Sequence, residues 1–539
     1  MAEHVLDIRN LTVDYETRGT RRRAVDGVSL HVEPGEVLGV VGESGSGKST
    51  IAQSIIGLQA PNAHILSGSV RLRNTELLGA SKKMWRQVRG TRIGLIPQDP
   101  NNSLNPLRTV GASIAEPMLL HSGQQQGSVR RRVLALLEMV GIPEPERRAR
   151  QYPHELSGGM KQRVLIAAAV ALEPEVVIAD EPTSALDVTV QRRILDLIDD
   201  LRSRMDTAVV LITHDMGVAR ERADRLLVMH DGREEESGPT REVLAIPKRD
   251  YTRTLIANVP AMALRTRPKI DVDESVPPLV EVRGLTREFA RGRRSVPFRA
   301  VDDVSFVVPR GTTHALVGES GSGKTTIGRL LAGFDRASAG SIRVADHDVG
   351  SLRNGERKRF RRAVQLVYQN PFGSLDPRQS VSSIVAEPLR NFGIGSGAER
   401  EAMVAEMLDA VALPEQYANR LPRELSGGQR QRVAIARALV AEPDLVVLDE
   451  AVSALDVTVQ AQILRLLEKL QRERGLTYIF ISHDLAVVRQ ISDSVTVLKE
   501  GIQVEAGDTE TLFTDPQHPY TQALLEAVPG WTLLGDPSI

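Results

Sequence analysis

A glycine-rich pattern, Gly-x-x-x-x-Gly-Lys-Ser/Thr, occurs twice in the chain and constrains its fold more than any other feature. The two copies run from Gly42 to Ser49 and from Gly318 to Thr325. Each copy follows a short apolar run, as a buried strand would read, and leads into a helix-compatible stretch. Strand, glycine loop and helix in succession form a cradle whose backbone N–H groups surround a polyphosphate. The sequence therefore predicts two nucleotide-binding α/β units.

The residue types within the two loops predict how each would hold its ligand. Lys48 and Lys324 are expected to reach the β- and γ-phosphates, and the hydroxyls of Ser49 and Thr325 to ligate Mg²⁺. The other predicted nucleotide contacts of the two loops are Gly42, Ser44, Gly45, Ser46, Gly47, Thr50, Gly318, Ser320, Gly321, Ser322, Gly323 and Thr326.

Three further motifs recur at one constant separation. They are Leu-Ser-Gly-Gly, an apolar run that ends in Asp-Glu, and Thr/Ser-His-Asp. Their members Ser157 and Ser426, Asp180 and Asp449, and His214 and His483 are each 269 positions apart. The loop lysines are 276 positions apart, so the first half holds seven extra residues before Ser157. A constant register across distant motifs indicates duplicated domains.

Domain boundaries follow from this register and from a change in composition. Between about residues 243 and 279 the apolar pattern decays into a proline-bearing stretch, which is typical of a linker. Strands are predicted over residues 5–15, 36–41, 176–179, 280–289, 313–317 and 445–448. We predict a first nucleotide-binding domain over residues 1–262, a linker over 263–278, a second domain over 279–530 and a loosely held tail over 531–539.

Composition excludes several classes of function. The 539 residues carry a formal net charge of −1, which argues against a nucleic-acid-binding surface spread over the whole molecule. The chain has no cysteine, so disulfides, thiolate zinc sites, iron–sulfur clusters and cysteine nucleophiles are excluded. No apolar run reaches the roughly 18 residues that cross a bilayer, and the N-terminus lacks the plan of a secretion signal. We expect a cytosolic protein that meets a membrane only through partners.

The acidic ends of two apolar runs carry the predicted chemistry. They read Asp180-Glu181 and Asp449-Glu450. The aspartate is placed to hold the Mg²⁺ shell, and the glutamate to orient or deprotonate the water that attacks the γ-phosphate. Surface acids that cap the following turn are the alternative. Their position after a buried strand, downstream of a phosphate loop in both halves, favours the catalytic interpretation.

One histidine and one glutamine complete each predicted site. His214 and His483 end another apolar strand, where a neutral imidazole can hydrogen-bond the γ-phosphate, and a satisfied core histidine is the alternative. Gln98 and Gln369 open proline-containing loops, which suits residues that sense Mg²⁺ and move. The predicted Mg²⁺ set is therefore Ser49, Gln98, Asp180, Thr325, Gln369 and Asp449.

The Leu-Ser-Gly-Gly motifs predict a second anion site in each half. A serine and two glycines before a helix offer a hydroxyl, bare backbone N–H groups and the positive end of the helix dipole. Because each half already has a phosphate loop, this site needs another nucleotide to bind. With these motifs the chain resembles the ATP-binding cassette family over nearly its whole length.

The resemblance implies two P-loop NTPase domains in tandem, each with a RecA-like core, an antiparallel β subdomain and a helical subdomain that carries the Leu-Ser-Gly-Gly signature. It also implies a head-to-tail sandwich, in which the signature of one half closes over ATP held by the other. The site of Lys48 would then use Ser426, Gly427, Gly428 and Gln429, and the site of Lys324 would use Ser157, Gly158 and Gly159.

Two departures and two aromatic residues refine these expectations. Met160 replaces the signature glutamine in the first half, and at most a modest weakening is expected because the serine and the backbone donors remain. Both glutamates are present, so two hydrolytically competent sites are expected. The family places an aromatic against adenine, and Tyr15 and Phe289 lie in that position. A core aromatic at a strand end is the alternative for both.

Segments outside the nucleotide motifs resemble the ATPases of dipeptide and oligopeptide permeases. The glutamine loops continue into the similar segments 99–106 and 370–377, and the motif at 515–525 matches the C-terminal region of those ATPases. Only traces of that motif are recognised in the first half, at 251–256. Some members hold an iron–sulfur cluster on cysteines, which this chain lacks.

The resemblance implies an importer ATPase that hydrolyses ATP with Mg²⁺ at the cytoplasmic face of the cell membrane. Its partners would be two transmembrane permease subunits and, indirectly, an extracytoplasmic solute-binding protein, and one monomer would supply both ATPase domains. Peptides are the expected solute, with nickel, glutathione or oligosaccharides as alternatives. A tandem ATPase that acts on ribosomes is disfavoured by the short proline-bearing linker, and a scaffold without turnover is disfavoured by Glu181 and Glu450.

Overall fold

The computed structural model describes residues 4–17, 19–121, 126–184, 186–259, 270, 273, 275–290, 297–453 and 455–530. The predicted tail 531–539 and most of the predicted linker lie outside these residues. Backbone contacts divide the chain into two compact units, Met1–Leu186 with Val190–Met262 and Asp187–Thr189 with Ala263–Ile539. Each unit is described by itself below.

The first unit alternates strands and helices. Its strands are β1 (Leu6–Thr17), β2 (Thr20–Val32), β3 (Val37–Gly42), β4 (Ala63–Leu72), β5 (Thr75–Glu76), β6 (Ile93–Ile96), β7 (Val176–Asp180), β8 (Ala208–Thr213), β9 (Arg225–His230) and β10 (Arg233–Pro239). Its helices are α1 (Lys48–Ile56), α2 (Lys82–Val88), α3 (Pro100–Ser103), α4 (Val110–His121), α5 (Gln126–Met139), α6 (Pro145–Arg148), α7 (Gly158–Ala169), α8 (Val188–Met205), α9 (Met216–Arg222), α10 (Thr240–Ala245) and α11 (Asp250–Ala257).

The second unit repeats this order. Its strands are β11 (Val280–Phe289), β12 (Phe298–Val308), β13 (Thr313–Val317), β14 (Ala339–Val344), β15 (His347–Asp348), β16 (Val364–Val367), β17 (Leu445–Asp449), β18 (Thr477–Ser482), β19 (Ser494–Lys499) and β20 (Ile502–Asp508). Its helices are α12 (Lys324–Leu331), α13 (Asn354–Ala363), α14 (Pro371–Ser374), α15 (Val381–Phe392), α16 (Gly397–Ala410), α17 (Gly427–Leu439), α18 (Val457–Arg474), α19 (Leu485–Ile491), α20 (Thr509–Thr514) and α21 (Pro519–Glu526).

The central sheet of the first unit has the strand order β10-β9-β3-β8-β7-β6. Strands β9, β3, β8, β7 and β6 pair in parallel, and β10 is antiparallel to β9. All residues of β3 and β8 are buried, as expected of strands covered on both faces. Because parallel strands end at one edge, this order brings the segments after β3, β6, β7 and β8 together.

An antiparallel sheet of order β2-β1-β4-β5 packs beside the central sheet in the first unit. In the second unit a single parallel bridge, between Asp302 on β12 and Ile502 on β20, joins the antiparallel strands to the central sheet. The two sheets therefore form one ten-stranded sheet, in the order β15-β14-β11-β12-β20-β19-β13-β18-β17-β16. Helices α4, α5 and α7, and likewise α15, α16 and α17, pack together as a helical lobe. The predicted fold class, two α/β units each with an antiparallel β and a helical subdomain, is confirmed.

Two regions differ from the simplest sequence interpretation. The stretch from residue 243 was interpreted as a decaying pattern, but α10 and α11 extend ordered helix to Ala257. Short helices separated by Pro247 leave too little periodicity to be seen in the sequence. Most of the length difference between the two halves lies in one strand, since β4 has 10 residues and β14 has six.

Candidate functional site

The phosphate loop of the first unit joins β3 to α1 and takes a backbone that glycine adopts most freely. Gly42, Gly45 and Gly47 have φ angles of 149°, 84° and 100°. A Cβ atom on Gly47 would lie 2.5 Å from the carbonyl oxygen of Ala24, so glycine is also required for space. The loop between β13 and α12 repeats this geometry, with φ angles of 146°, 82° and 100° at Gly318, Gly321 and Gly323.

Each loop lysine folds back onto the carbonyl groups of its own loop. Lys48 Nζ donates to the carbonyl oxygens of Gly42 at 2.7 Å and Glu43 at 2.8 Å, and the residue is only 6% exposed. Burial lowers the pKa of Lys324 in the second unit. The corresponding bonds there join Lys324 Nζ to the carbonyls of Gly318 (2.7 Å) and Glu319 (2.8 Å). The cation of each loop is therefore held in place, which suits a polyphosphate ligand.

The serines of the first loop fit a phosphate group. Ser44 and Gly45 are exposed, whereas Ser46 is buried and its Oγ has no hydrogen-bond partner among the described residues. A buried hydroxyl without a partner is uncommon and calls for one, which a phosphate oxygen would supply. In the second loop Ser320 and Gly321 are exposed, and Ser322 Oγ accepts a bond of 3.4 Å from Lys324 Nζ.

A hydroxyl and a carboxylate meet beside each loop. Ser49 Oγ donates to Asp180 Oδ1 at 3.4 Å, and Thr325 Oγ1 donates to Asp449 Oδ1 at 3.2 Å. Burial and the charge of Glu181 raise the pKa of Asp180, and burial raises the pKa of Asp449 to about 6. Oxygen donors of this kind are the ligands that Mg²⁺ takes, and a divalent cation would compensate the buried carboxylate. The residues therefore fit a magnesium ion.

Glu181 is the centre of a hydrogen-bonded group at the end of β7. Its Oε2 accepts from Gln98 Nε2 at 2.7 Å and from Ser184 Oγ at 2.7 Å, and its Oε1 lies 3.3 Å from His214 Nδ1. The three partners come from the segments after β6, β7 and β8. The structure thus gathers the predicted glutamine, glutamate and histidine into one constellation.

The charges of this group reinforce one another. Burial opposes the ionised carboxylate, but the hydrogen bond and charge of His214, with the Ser184 hydroxyl, lower the pKa of Glu181 to about 2. Burial likewise opposes the imidazolium, yet the bond to Glu181 raises the pKa of His214. A shared ionic hydrogen bond is the physical cause of both shifts. The contact with Glu181 shifts His214 toward its imidazolium form. The neutral imidazole facing a γ-phosphate stays a prediction.

The second unit builds the same constellation with one difference. Glu450 Oε2 accepts from Gln369 Nε2 at 2.6 Å, and its Oε1 lies 3.3 Å from His483 Nδ1. The pKa of Glu450 is lowered and that of His483 raised, in both cases against the effect of burial. Ser453, the counterpart of Ser184, donates instead to the backbone carbonyl of Glu450 at 3.0 Å. Among the described contacts, the Glu181 carboxylate therefore accepts one more hydrogen bond than the Glu450 carboxylate.

The two glutamates share an uncommon backbone conformation. Glu181 and Glu450 have φ angles of 46° and 47°, in the left-handed region that glycine normally occupies. Their N–H groups donate to the carbonyl oxygens of Ile212 and Ile481, each at 2.9 Å. These bonds to the neighbouring strand hold the strained turn in place, and the turn aims the carboxylate at its partners.

The signature serines cap the helices that follow them. Ser157 Oγ accepts from the N–H of Met160 at 3.4 Å at the start of α7, and Ser426 Oγ accepts from the N–H of Gln429 at 3.3 Å at the start of α17. Gln429 Oε1 also accepts from the N–H of Ser426 at 3.0 Å, which completes a capping box. Methionine cannot return that bond, so the first signature helix keeps only half of its cap.

The four signature glycines divide into two roles. Gly158 and Gly427 have room, since a Cβ atom there would meet only a leucine methyl at 3.7 Å. A Cβ atom on Gly159 would lie 2.5 Å from Val190 Cγ1, and the second unit repeats this clash between Gly428 and Val459 at 2.4 Å. Among the described residues Ser157 forms no hydrogen bond with the phosphate loop of its own unit.

Tyr15 is held between two strands beside α1. It pairs with Arg22 on β2 and with Ala63 on β4. Its hydroxyl lies 3.5 Å from Thr50 Oγ1 and donates to Gln53 Oε1 at 3.4 Å. The structure thus places Tyr15 against the helix that follows the phosphate loop.

Phe289 has a different environment from that of Tyr15. It pairs with Phe298 on β12, but the shorter β14 does not reach it. The residue is 37% exposed, and the guanidinium of Arg287 lies 4.6 Å from the ring centroid. The described contacts do not bring Phe289 to α12, where Thr326 is partly exposed. The adenine contact of Phe289 stays a prediction.

Sequence reasoning missed Ser184, which donates to the Glu181 carboxylate. Its counterpart Ser453 lies 269 positions further on, so the constant register would have identified both residues. It would not have shown that only the first of them contacts the carboxylate.

Comparison with known proteins identifies the class to which this architecture belongs. The family model described as ABC transporter matches residues 25–184 and 301–453. The family model described as the C-terminal region of oligopeptide/dipeptide transporters matches residues 236–284 and 504–532. The chain belongs to the ABC transporter family and is an ATPase with two ATP-binding domains in tandem. The expectation that only traces of the C-terminal region persist in the first half is wrong, since both halves match it.

Individual relatives resemble the chain over nearly its full length. It is 43% identical to the glutathione import ATP-binding protein GsiA of Salmonella paratyphi A, over 99% of this chain and 90% of that protein. It is 41% identical to the oligopeptide transport ATP-binding protein OppD of Mycobacterium tuberculosis, over 97% of this chain and 98% of that protein. Within the described residues no helix combines the length and the apolar character needed to span a membrane.

Proposed function

We propose that the chain is the ATP-hydrolysing subunit of an importer and couples ATP binding and hydrolysis to the uptake of peptides through separate membrane subunits. One observation carries the hydrolytic part of this proposal. In both units a half-buried glutamate beside the phosphate loop is bonded to a glutamine and a histidine from neighbouring strand ends. A domain that only bound nucleotide would not need this duplicated constellation.

The loops would bind the phosphates of ATP. Their backbone N–H groups and the ammonium groups of Lys48 and Lys324 would surround the β- and γ-phosphates. Ser49, Gln98 and Asp180 in the first unit would hold Mg²⁺, as would Thr325, Gln369 and Asp449 in the second. When bound, the ion would neutralise charge that develops on the phosphate oxygens. Tyr15 and Phe289 would contact adenine.

Glu181 and Glu450 would orient the attacking water and accept its proton. In the structure Gln98 and Gln369 donate through Nε2 to these carboxylates, and their amide oxygens are the atoms that would ligate Mg²⁺. His214 and His483 would then turn a ring nitrogen toward the γ-phosphate. A carboxylate with a lowered pKa is ionised at neutral pH, as a proton acceptor must be.

The pairing of motifs that the family resemblance implies remains part of this proposal. In it, the signature at Ser426 serves the nucleotide on Lys48, and the signature at Ser157 serves the nucleotide on Lys324. The capped, exposed serines at the starts of α7 and α17 support an anion site, because the first N–H groups of a helix are available to a ligand.

The relatives support peptides as the solute. Those named above are glutathione and oligopeptide importers, and glutathione is itself a tripeptide. Both halves match the C-terminal region of oligopeptide and dipeptide transporters. We therefore propose two transmembrane permease subunits as partners, with an extracytoplasmic binding protein that delivers the solute. One chain would supply both ATPase domains at the cytoplasmic face of the membrane.

An uptake experiment tests this assignment. A strain that lacks the gene is supplied with the wild-type chain or with the double variant Glu181→Gln and Glu450→Gln, and uptake of a radiolabelled oligopeptide, glutathione or Ni²⁺ is measured. We expect peptide or glutathione uptake to return only with the wild-type chain. Uptake of Ni²⁺ alone would reject the peptide assignment, and equal rescue by both chains would reject the hydrolytic role.

A further inference from the structure

The C-terminal region of each unit reaches its own phosphate loop through one tyrosine. The backbone N–H of Glu43, the second residue of the first loop, donates to Tyr251 Oη on α11 at 3.4 Å. The backbone N–H of Glu319 donates to Tyr520 Oη on α21 at 3.2 Å. The two tyrosines are 269 positions apart, in the register of the catalytic motifs. The same contact thus occurs independently in both units.

The peptide group that receives this contact is also the one that holds the loop lysine. In the first unit the carbonyl of Gly42 and the N–H of Glu43 belong to one planar peptide group. Tyr251 binds its N–H, and Lys48 Nζ donates to its carbonyl oxygen at 2.7 Å. In the second unit Tyr520 and Lys324 bind the Gly318–Glu319 peptide in the same way. Rotation of this peptide would move the lysine contact and the tyrosine contact together.

The tyrosines are themselves held in place. Buried Glu236 on β10 accepts from the N–H groups of Lys248 at 2.9 Å and Arg249 at 3.3 Å, just before α11. The ring of Tyr251 also stacks on His230, with the ring centroids 3.9 Å apart. In the second unit Glu505 accepts from Gln517 (2.8 Å) and His518 (3.1 Å), and Lys499 Nζ lies 5.0 Å from the Tyr520 centroid.

We propose that Tyr251 and Tyr520 are positioning residues through which the C-terminal region fixes the first peptide of each phosphate loop, and with it the lysine that binds ATP phosphates. The inference rests on the proposed nucleotide sites for its consequence, although the contact itself does not depend on them. Burial raises the pKa of Tyr520 to about 12, so its hydroxyl stays neutral. The C-terminal region thereby takes part in nucleotide binding without touching the nucleotide.

Phenylalanine variants separate the hydroxyl from the ring. Tyr251→Phe and Tyr520→Phe keep the stacking and cation contacts but remove the acceptor of the loop N–H. In the full chain without nucleotide, hydrogen exchange followed by mass spectrometry should show amide exchange about tenfold faster in the loop of the altered unit only, because one hydrogen bond is lost. The unaltered loop of the same molecule is the internal control. Tyr417→Phe, on a residue whose ring contacts Arg420 away from the loops, is the matched control.

Nucleotide affinity then tests the functional part. With both tyrosines changed, the Kd for ATP should rise roughly fivefold to tenfold, and the Kd of Tyr417→Phe should match that of the wild type. Faster loop exchange with unchanged ATP affinity would overturn the positioning role. Unchanged loop exchange would overturn the contact. Faster exchange throughout both units would show a global effect and also overturn the proposal. A wild-type chain that bound no ATP would instead reject the proposed function.

Discussion

At the scale of single residues, the proposed hydrolysis depends on one glutamate in each unit. Glu181 and Glu450 lie in a strained left-handed turn and are bonded to a histidine that favours their ionised form. Neither feature follows from residue type. The sequence placed a glutamate after a buried strand, but the histidine and glutamine that contact it are more than 30 and 80 positions away, respectively. Only the strand order brings them together.

Replacing both glutamates by glutamine tests the chemistry directly. Glu181→Gln with Glu450→Gln should leave ATP binding intact, because the loops are unchanged, and should reduce steady-state phosphate release at least about 100-fold, as loss of a general base does. Phosphate release and equilibrium ATP binding are measured on the purified chain. Glu468→Gln, which alters an acid that pairs with Arg472 on α18, serves as a control outside the site. Turnover that survives the double change would remove the glutamates from the mechanism.

The incomplete cap of α7 gives a second prediction at this scale. Met160→Gln should restore the bond to the N–H of Ser157 that Gln429 makes in the second unit, and should stabilise the first unit by about 0.5 kcal/mol. Gln429→Met should cost the second unit a similar amount. Urea unfolding followed by hydrogen exchange in α7 and α17 measures both effects. A stability unchanged in either variant would show that the reciprocal bond contributes little.

At the scale of strands and helices, alternation and apolar runs predicted most of the core. Strands 280–289 and 313–317 were predicted with the bounds that the structure gives to β11 and β13. The prediction failed where elements are short and stabilised from a distance. Helix α11 has eight residues, and its approach is fixed by Glu236, a buried charge on β10. No local pattern reports such a contact.

The junction between α7 and α8 makes a prediction about packing. Gly159→Ala should destabilise the first unit by about 1–3 kcal/mol, because the new methyl group would overlap Val190. Gly158→Ala, at the neighbouring open position, is the control and should change the unfolding free energy little. Val190→Ala should partly rescue Gly159→Ala, as urea unfolding of the double variant would reveal. Equal effects at the two glycines would contradict the contact.

Strand β13 contains a buried histidine that couples stability to pH. His314 bonds to Ser494 and Thr496, and burial lowers its pKa to about 3. The unfolded chain, with a histidine pKa of 6.5, binds a proton first as pH falls. The second unit should therefore lose about 1.4 kcal/mol for each pH unit below about 6.5, until pH approaches 3.

A matched variant isolates this effect. His314→Leu with Thr496→Leu copies Leu38 and Leu227, which occupy the corresponding positions of the first unit. The variant should lose about 2 kcal/mol less stability than the wild type between pH 7 and pH 5. Hydrogen exchange of β13 at increasing urea concentrations gives the unfolding free energy at each pH. The same pH dependence in both chains would show that His314 is not its source.

At the scale of the whole molecule, duplication gives most residues of one unit a counterpart in the other. Many residues in one register share their environments in both units, but there are exceptions. Strand β4 is longer than β14, and Ser184 donates to a carboxylate whereas Ser453 donates to a backbone carbonyl. Which signature serves which phosphate loop is a property of the assembled chain. The family resemblance supplied that pairing, and it stays a prediction.

Ser426→Arg tests the pairing. The arginine side chain would block the proposed anion site, so nucleotide trapping on Lys48 should fall more than tenfold while trapping on Lys324 remains. Photolabelling with an azido-ATP, followed by identification of the labelled peptides, distinguishes the two loops. Ser157→Arg should give the opposite pattern. Loss at Lys324 in the Ser426 variant would reverse the proposed assignment.

The tyrosine contacts also determine where the two halves can be separated. A fragment that ended before Asp250 would delete α11 and expose the Glu43 amide to water, although every nucleotide motif of the first half would be intact. A cut within the residues after 259 retains the helix. Weak ATP binding by a half shortened in this way would then reflect the loss of the Tyr251 contact and not a requirement for the other half. Experiments on isolated domains should therefore use fragments that retain α11.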